Sequence, residues 1–437
     1  MGGLELERVE GPPRRVSLPP GWPLYVLVVG YPLWWVLGLS NFGWTLVAIP
    51  MLMYMVSHKV ARVPRRFGIW LLFLTWMLLS SLTLSGSNAW LTYIYRVSAY
   101  LAATVTLLYI LSVPRDLLPT RRLVLLLTDF WLLLLAGGYL GLVFARVSFP
   151  SIMEKLLPRG LVSNDYVYSL IHPRFAEVQH FIGYTIYRPS APFFYTNWWG
   201  GNFGALFPIA IAAFGYLRTR RSRLLLAIAL ALAVPPIILS VNRGLWFSLG
   251  LGLFYALVRL ALQGRVKATG LVLGLLIFVG SLLVVTPLHA TVEARLANPA
   301  SNRGRFGVIE AAIEGTKQAP LLGHGVPQPA PKDLRIPNVG TGGLIWQVLY
   351  TTGFPGAALF VAWLISCLWG SRKGSPPIKL WAHVGIVIIV LQMVVYSMIP
   401  VEAVVLMILT ALAFREDEST SQTIAVRDSP IREAAFQ

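Results

Sequence analysis

Apolar runs dominate the hydrophobic pattern of this chain. Twelve of them, most close to the roughly 20 residues that a helix needs to cross a bilayer, are separated by polar or basic segments. They lie at about 22–40, 42–57, 68–85, 90–112, 123–145, 201–217, 224–240, 244–260, 269–286, 343–369, 381–398 and 400–414. The pattern predicts an all-α, polytopic membrane domain over residues 22–414. We expect polar, disordered tails at 1–21 and 415–437.

The composition supports a membrane protein over a soluble one. Of the 437 residues, 56% are hydrophobic and 12% are charged, and the mean hydropathy is +0.67. A soluble protein of this length cannot hide so much apolar surface. The single cysteine, Cys367, excludes an intramolecular disulfide and a cysteine-based metal site. Since no cleavage site follows the first apolar run, we interpret that run as an uncleaved span.

The basic residues predict the orientation of the spans. A net charge of +18 would suggest nucleic acid in a soluble protein, but Lys and Arg also mark the cytoplasmic loops of membrane proteins. The outer short gaps contribute only Arg243. If the N-terminus is inside, the inner gaps hold Lys59, Arg62, Arg65, Arg66, Arg115, Arg121, Arg122, Arg218, Arg220, Arg221, Arg223, Arg259, Arg265, Lys267, Arg372, Lys373 and Lys379. Twelve spans with both termini in the cytoplasm follow.

This orientation turns two long polar loops outward. In the first, residues 146–200, Asn164 or Asp165 is suited to cap a short helix, and residues 175–182 are predicted to form another. In the second, residues 287–342, Asn302 is predicted to cap a helix that Gly315 ends. The first loop ends in an aromatic cluster that fits either an interfacial belt or a substrate entrance: Tyr184, Tyr187, Phe193, Phe194, Tyr195, Trp198 and Trp199.

Outward-facing arginines are the strongest chemical signal. The planar guanidinium matches a phosphate group and stays charged at working pH. Arg243 stands out because it lies at the outward tip between two spans, although a lipid-headgroup contact is the alternative. Arg96 lies about two turns inside the fourth span, where a cation is costly. The other candidates are Arg188, Arg303 and Arg305, with Arg174 and Arg295 behind them.

No single residue stands out as a general base. We consider Glu310, His324 and His180, each of which can instead be structural or solvent-facing. Further titratable residues of this kind are His172, His289, Glu314 and Glu402. HExxH, a cysteine cluster and a P-loop are all missing from the sequence, so we predict no metal and no cofactor.

Several blocks resemble the O-antigen ligase/polymerase family. They are RPSAPFFYTNWWGGNFG from Arg188, SVNRGLWFSLGLGL from Ser240, SNRGRFGVIEAAIEG with PLLGHG, and GTGGLIWQVLYTTGFPGAALF from Gly340. Their order and the loops after the fifth and ninth spans are similar too. The resemblance covers roughly residues 90–410.

The resemblance implies an inverting, metal-independent glycosyltransferase outside the bacterial cytoplasmic membrane. Such enzymes take a glycan from an undecaprenyl diphosphate carrier; polymerases add it to another lipid-linked glycan, and ligases add it to lipid A core or another acceptor. By position, Arg243 and Arg303 or Arg305 match arginines thought to hold the diphosphate. We expect Arg188 to join them, and Tyr195, Trp198 and Trp199 to shape the lipid and sugar entrance.

One family residue is missing. Ligases and many polymerases carry a histidine before the tenth span that activates the acceptor, and Gly342 takes its place here. This favours a polymerase over a ligase, and leaves a transporter or flippase and a non-catalytic assembly scaffold as alternatives. The expected partners are the lipid-linked glycan, its acceptor, membrane lipids and other polysaccharide-assembly proteins, but no nucleic acid. The sequence does not identify the sugar, linkage, acceptor, general base or oligomeric state.

Overall fold

The computed structural model describes residues 19–180, 185–286, 288–297, 300–330, 338–373, 377–397, 399, 401–415 and 421–425. The chain is mostly helical, at 74%. Short strands pair in twos, and the helices carry the rest of the architecture.

The helices are, in chain order, α1 (Trp22–Val29), α2 (Tyr31–Leu37), α3 (Gly43–Ser57), α4 (Phe67–Leu79), α5 (Ser87–Ser112), α6 (Thr120–Val143), α7 (Ile152–Leu156), α8 (Arg159–Val162), α9 (Asp165–Ile171), α10 (Thr196–Ala212), α11 (Arg220–Leu232), α12 (Val234–Leu239), α13 (Arg243–Leu262), α14 (Val266–Val285), α15 (Leu288–Ala297), α16 (Ala300–Gln318), α17 (Leu344–Ser371), α18 (Pro377–Met393) and α19 (Val401–Arg415). The strands are β1 (Val60–Pro64), β2 (Ala176–Gln179), β3 (Ile186–Pro189), β4 (Gln328–Pro329), β5 (Asn338–Val339) and β6 (Ser421–Ala425).

Helices occupy all twelve predicted apolar runs, singly or as pairs. Within the described residues, five helical segments are long and apolar enough to cross a membrane: Ser87–Ser112, Thr120–Val143, Arg220–Leu239, Arg243–Leu262 and Leu344–Ser371. Shorter apolar helices cover Gly43–Ser57, Phe67–Thr83, Val266–Leu282 and Pro377–Met393. The first predicted span is interrupted at Gly30, where α1 gives way to α2.

The centre of the molecule is built from α10, α18 and α19. Almost every described side chain of these helices is buried, because they are apolar on all sides and have neighbours all round. The outer helices instead expose large apolar groups, such as Phe247 at 66% and Leu72 at 59%. Exposed apolar faces around a buried centre are typical of helices surrounded by lipid.

The first long loop folds partly as predicted. Asn164 caps α9, since its Oδ1 accepts hydrogen bonds from the backbone N–H groups of Tyr166 and Val167. The helix predicted over 175–182 is wrong, because β2 and β3 form an antiparallel hairpin there. Ala176 and Glu177 of β2 are both buried and Val178 is exposed, so the burial pattern of this four-residue strand does not by itself distinguish a strand from a helix.

The second long loop also differs from expectation. Helix α16 begins at Ala300, so Asn302 lies inside it and is not its cap. It runs past Gly315 to Gln318. A Cβ at Gly315 would lie 2.5 Å from the ring of Tyr350, so this glycine permits close packing against α17 rather than ending the helix.

Part of the segment expected to be disordered forms a strand. Residues 421–425 are β6, which pairs antiparallel with β1 so that Pro64 faces Ser421 and Val60 faces Ala425. The pairing joins the segment after α19 to the connection between α3 and α4. The tail at 1–18 and residues 416–420 and 426–437 lie outside the described residues.

Candidate arginine site at the α12–α13 turn

The candidate site is centred on the turn from Ser240 to Arg243, between α12 and α13, which we call the arginine turn. Val241 has a φ of 52°, a strained conformation for a β-branched residue. Asn242 caps α13, because its Oδ1 accepts the backbone N–H of Leu245 at 3.0 Å. Arg243 is the first residue of α13 and is half-buried. The turn therefore holds Arg243 at the positive end of a long helix.

Two further arginines bind the same turn. Arg188 in β3 donates from Nε to the carbonyl of Ser240 at 2.6 Å. Arg295 in α15 donates from Nε to the carbonyl of Val241 at 3.3 Å. Both side chains are buried, with 6% and 5% exposed. Because the two carbonyls belong to neighbouring residues, both guanidinium groups lie at one turn, and one comes from each long loop.

Glu177 offsets part of this charge. It is buried, its Oε2 lies 3.9 Å from NH1 of Arg188, and the same oxygen accepts the backbone N–H of Thr196 at 2.8 Å. Asn197 also accepts a hydrogen bond from Arg188 at 3.3 Å. Sequence reasoning missed Glu177. The signal was available in the hairpin register, which sets Glu177 opposite Arg188, but it required the hairpin to be recognised.

Tyr396 connects the turn to α17. Its hydroxyl donates to Oδ1 of Asn242 at 2.6 Å and accepts the backbone N–H of Gly244 at 3.0 Å. Its carbonyl accepts the backbone N–H of Leu344, the first residue of α17, at 2.8 Å. Tyr396 was also missed, since nothing distinguishes it within an apolar run of the sequence.

Gly342 lies where α16 meets the start of α17. A Cβ at Gly342 would be 3.2 Å from side-chain atoms of Val308 and Ile309. Arg305 precedes Val308 by one helical turn, so this stretch of α16 backbone lies close to Gly342. Arg303 and Arg305 belong to α16, but their side chains lie outside the described part of the chain.

The candidate bases are scattered. His180 is exposed at the end of the β2–β3 hairpin, with Nδ1 3.1 Å from the Thr185 hydroxyl. Glu310 is exposed on α16, and the neighbouring Glu314 pairs with Lys317 in solvent. No described contact joins either His180 or Glu310 to the arginine turn.

His324 is the most constrained of the candidate bases. Its Nε2 donates to the carbonyl of Gly315 at 2.9 Å, and its ring stacks on Tyr350 with centroids 4.4 Å apart. Because a carbonyl only accepts, Nε2 of His324 carries a proton in this hydrogen bond. The residue lines a cavity of about 340 Å³ together with Asn88 and Thr92. No described contact joins it to Arg243.

The aromatic residues divide between surface and core. Tyr195 is half-buried beside Arg174, and burial raises the pKa of its hydroxyl. Trp198 is largely buried, and its Nε1 donates to the carbonyl of Ser397. Trp199 has no exposed surface and donates to the carbonyl of Leu134, so a place in an entrance does not fit its position.

Arg96 is buried, as its position inside a span suggested. It donates to the carbonyl of Gly325 at 3.2 Å and to the Thr351 hydroxyl at 3.1 Å. These bonds join α5 to the loop after α16 and to α17. They assign Arg96 a structural part in the fold.

Searches of family models, curated proteins and solved structures find no match to this chain. Among the described residues no group of three or more His, Cys, Asp or Glu side chains is placed to hold a metal ion.

Proposed function

We propose that this protein is a membrane glycosyltransferase that polymerises or transfers an undecaprenyl-diphosphate-linked oligosaccharide at the outer face of the bacterial cytoplasmic membrane. The observation that carries the proposal is the arginine turn: Arg188 and Arg295 bind the adjacent carbonyls of Ser240 and Val241, which precede Arg243 by three and two residues. Arginine from both long loops converges on one helix N-terminus, and such a concentration of fixed positive charge suits a diphosphate.

The proposed reaction is a single displacement. The acceptor hydroxyl attacks the anomeric carbon, the bond from that carbon to the diphosphate oxygen breaks with inversion, and undecaprenyl diphosphate leaves. A general base takes the hydroxyl proton. The leaving group gains negative charge in the transition state, which fixed guanidinium groups stabilise without a metal. His324, His180 and Glu310 remain the candidates for the base.

The proposal includes a membrane topology. Twelve spans with both termini in the cytoplasm would turn both long loops outward, where the lipid-linked glycan is presented. The helical counterparts of the twelve runs and the five segments of spanning length support this arrangement. The glycan acceptor and other polysaccharide-assembly proteins are the proposed partners.

The test is a transfer assay with the purified full chain in nanodiscs and an undecaprenyl-diphosphate oligosaccharide. We expect released undecaprenyl diphosphate and lengthened glycan, with Arg243→Ala lowering turnover by at least about 100-fold, the scale of losing one preorganised charge contact. Arg159→Ala is the control, because Arg159 is an exposed arginine of the same predicted outer face. Transfer to a lipid A core but not to a second lipid-linked glycan would identify a ligase instead.

Two results would reject the proposal. Movement of the labelled lipid between leaflets without glycan transfer would indicate a flippase. If neither transfer nor movement occurs, while the protein binds other polysaccharide-assembly proteins, a scaffold is indicated.

A further inference from the structure

A large cavity lies beside the start of α4 and the end of α17, within the predicted cytoplasmic side. Its volume is about 870 Å³, and its walls come from the β1–α4 connection, the end of α17 and the end of α19. We call it the α4–α17 cavity. It is built from segments other than those of the arginine turn.

The lining of the α4–α17 cavity is strongly basic. Arg65 and Arg66 approach from one side, and Arg372 and Lys373 approach from about 300 residues further along the chain. Among the described lining residues none is acidic. The Nε of Arg372 is buried, and no hydrogen-bond partner for it occurs in the described part of the chain. Four cations with no carboxylate among the described lining residues suit an anionic ligand.

Two of these cations, Arg66 and Arg372, lie in constrained positions. Arg66 has a φ of 65°, which is uncommon outside glycine, and it directly precedes α4 without capping it through its side chain. The Arg372 guanidinium lies over the ring of Trp369, with its central carbon 3.1 Å from the ring centroid. The two sides of the cavity thus present their cations from constrained positions.

The cavity also has an apolar wall. Leu71 and Trp369 line it and are 48% and 54% exposed. They continue into the exposed apolar surface of α4, which includes Leu72. A free anion has no apolar part that could contact this wall, whereas the acyl chain of an amphiphile would cover it.

We propose that the α4–α17 cavity binds an anionic phospholipid. The headgroup phosphate lies among Arg65, Arg66, Arg372 and Lys373, and an acyl chain follows Leu71 and Trp369. Basic pockets between helices on the cytoplasmic side are suited to such headgroups. The inference is independent of the transferase proposal.

Native mass spectrometry of the delipidated full chain tests this binding. We titrate phosphatidylglycerol and phosphatidylcholine with the same acyl chains, and expect saturable binding of the first alone. The Arg65→Ala/Arg66→Ala variant should bind phosphatidylglycerol roughly thirtyfold more weakly, since each basic residue near an anionic headgroup contributes a factor of about five. Arg65→Lys/Arg66→Lys should retain most of the binding, which separates lost charge from misfolding.

A matched control and a competition complete the design. Arg220→Ala/Arg221→Ala removes two exposed arginines from another predicted cytoplasmic loop and should leave binding unchanged. Equal loss in this control, or equal binding of the two lipids, would overturn the proposal. Displacement of the lipid by inorganic phosphate at the same concentration would also overturn it, and would assign the site to a free anion. Leu71→Ala should weaken phosphatidylglycerol binding, because it removes part of the apolar wall without removing a cation.

Discussion

Arg188 and Glu177 form the charge pair on which the arginine turn rests. Both side chains are buried, and the carboxylate also holds the N–H of Thr196 at the start of α10. A buried charge that loses its partner is costly, while removal of both charges is much less so. The pair therefore contributes to the position of the turn as well as to its electrostatics.

Arg188→Ala should destabilise the protein by about 3–5 kcal/mol, because Glu177 would remain buried beside fewer donors. The double variant Arg188→Ala/Glu177→Ala should recover part of this loss. Thermal unfolding in detergent of the wild type, both single variants and the double variant gives the coupling free energy between the two side chains. If the losses in unfolding free energy of the two single variants add up to that of the double variant, the two side chains do not act as a pair.

Sequence reasoning identified arginines at this site but not what holds them. Arg243 and Arg188 stand out because cations beside apolar runs or in outward loops are visible without a structure. Glu177 and Tyr396 could not be identified from the sequence, because their roles depend on contacts that only the fold creates. Glu177 faces Arg188, 11 residues away in the chain, and Tyr396 bonds Asn242, 154 residues away. The place of Trp199 was missed likewise, since its burial depends on α6.

The arginine turn leads into helix α13, and Gly244, the first glycine of this helix, allows α13 to approach Tyr396 closely. A Cβ at Gly244 would overlap the Tyr396 ring, whose hydroxyl accepts the Gly244 N–H. Two turns later, Gly250 of the same helix has nothing within 4 Å of a Cβ. The two positions form a natural comparison.

Gly244→Ala should displace Tyr396 and Arg243 together, lower the melting temperature and reduce glycan transfer at least about tenfold, as small misplacements of catalytic groups do. Gly250→Ala should be neutral or stabilising by up to about 1 kcal/mol. Melting curves and the transfer assay check both. Indistinguishable behaviour of the two variants would contradict the close approach of Gly244.

Helix α17 bends at Gly353, which has a φ of 70° inside the helix. The bend accommodates the loop after α16, where Phe354 N–H bonds the Pro320 carbonyl and Trp76 bonds the Leu321 carbonyl. A Cβ at Gly353 would overlap backbone carbonyls of this loop. Backbone atoms cannot rotate away as a flexible side chain can.

Gly353→Ala should destabilise the protein by about 1–3 kcal/mol or more, because φ 70° with ψ −176° is a conformation that essentially only glycine adopts, before the overlap is added. Gly274→Ala in α14 is the control, because open space surrounds that position. Thermal unfolding of both variants in the same detergent is the measurement. A wild-type melting temperature for Gly353→Ala would mean that α17 is straight in the protein.

At the scale of elements, long apolar periodicity was easier to interpret than loop chemistry. Every predicted run contains helix, but the boundaries at Asn302 and Gly315 were wrong. Capping residues and glycine mark a helix end only where tertiary packing does not favour a longer helix, and Gly315 of α16 packs closely against Tyr350 of α17. The β2–β3 hairpin was not predicted, because a strand of four residues is too short to distinguish the helical period of 3.6 residues from the strand period of two.

The topology of the whole molecule is open to direct measurement. Cys367, the single cysteine of the sequence, has no exposed surface. It should therefore not react with a thiol reagent and need not be replaced before new cysteines are introduced. Arg159 and Arg221 are both exposed and lie on opposite predicted sides.

Arg159→Cys should react with a membrane-impermeant maleimide on intact spheroplasts, and Arg221→Cys should react only after permeabilisation. The unmodified chain should not react under either condition. Mass shifts on denaturing gels report the labelling. Reaction of Arg221→Cys before permeabilisation would reverse the predicted orientation, and with it the side on which the arginine turn faces.

The β1–β6 pairing has a consequence for biosynthesis. The strands are about 360 residues apart in the chain, so β1 leaves the ribosome long before its partner exists. At the usual 5–20 residues per second, β1 waits at least about 18 seconds, while every helix from α4 to α19 is made. During that interval its edge is open to other chains, and only the arrival of β6 closes it.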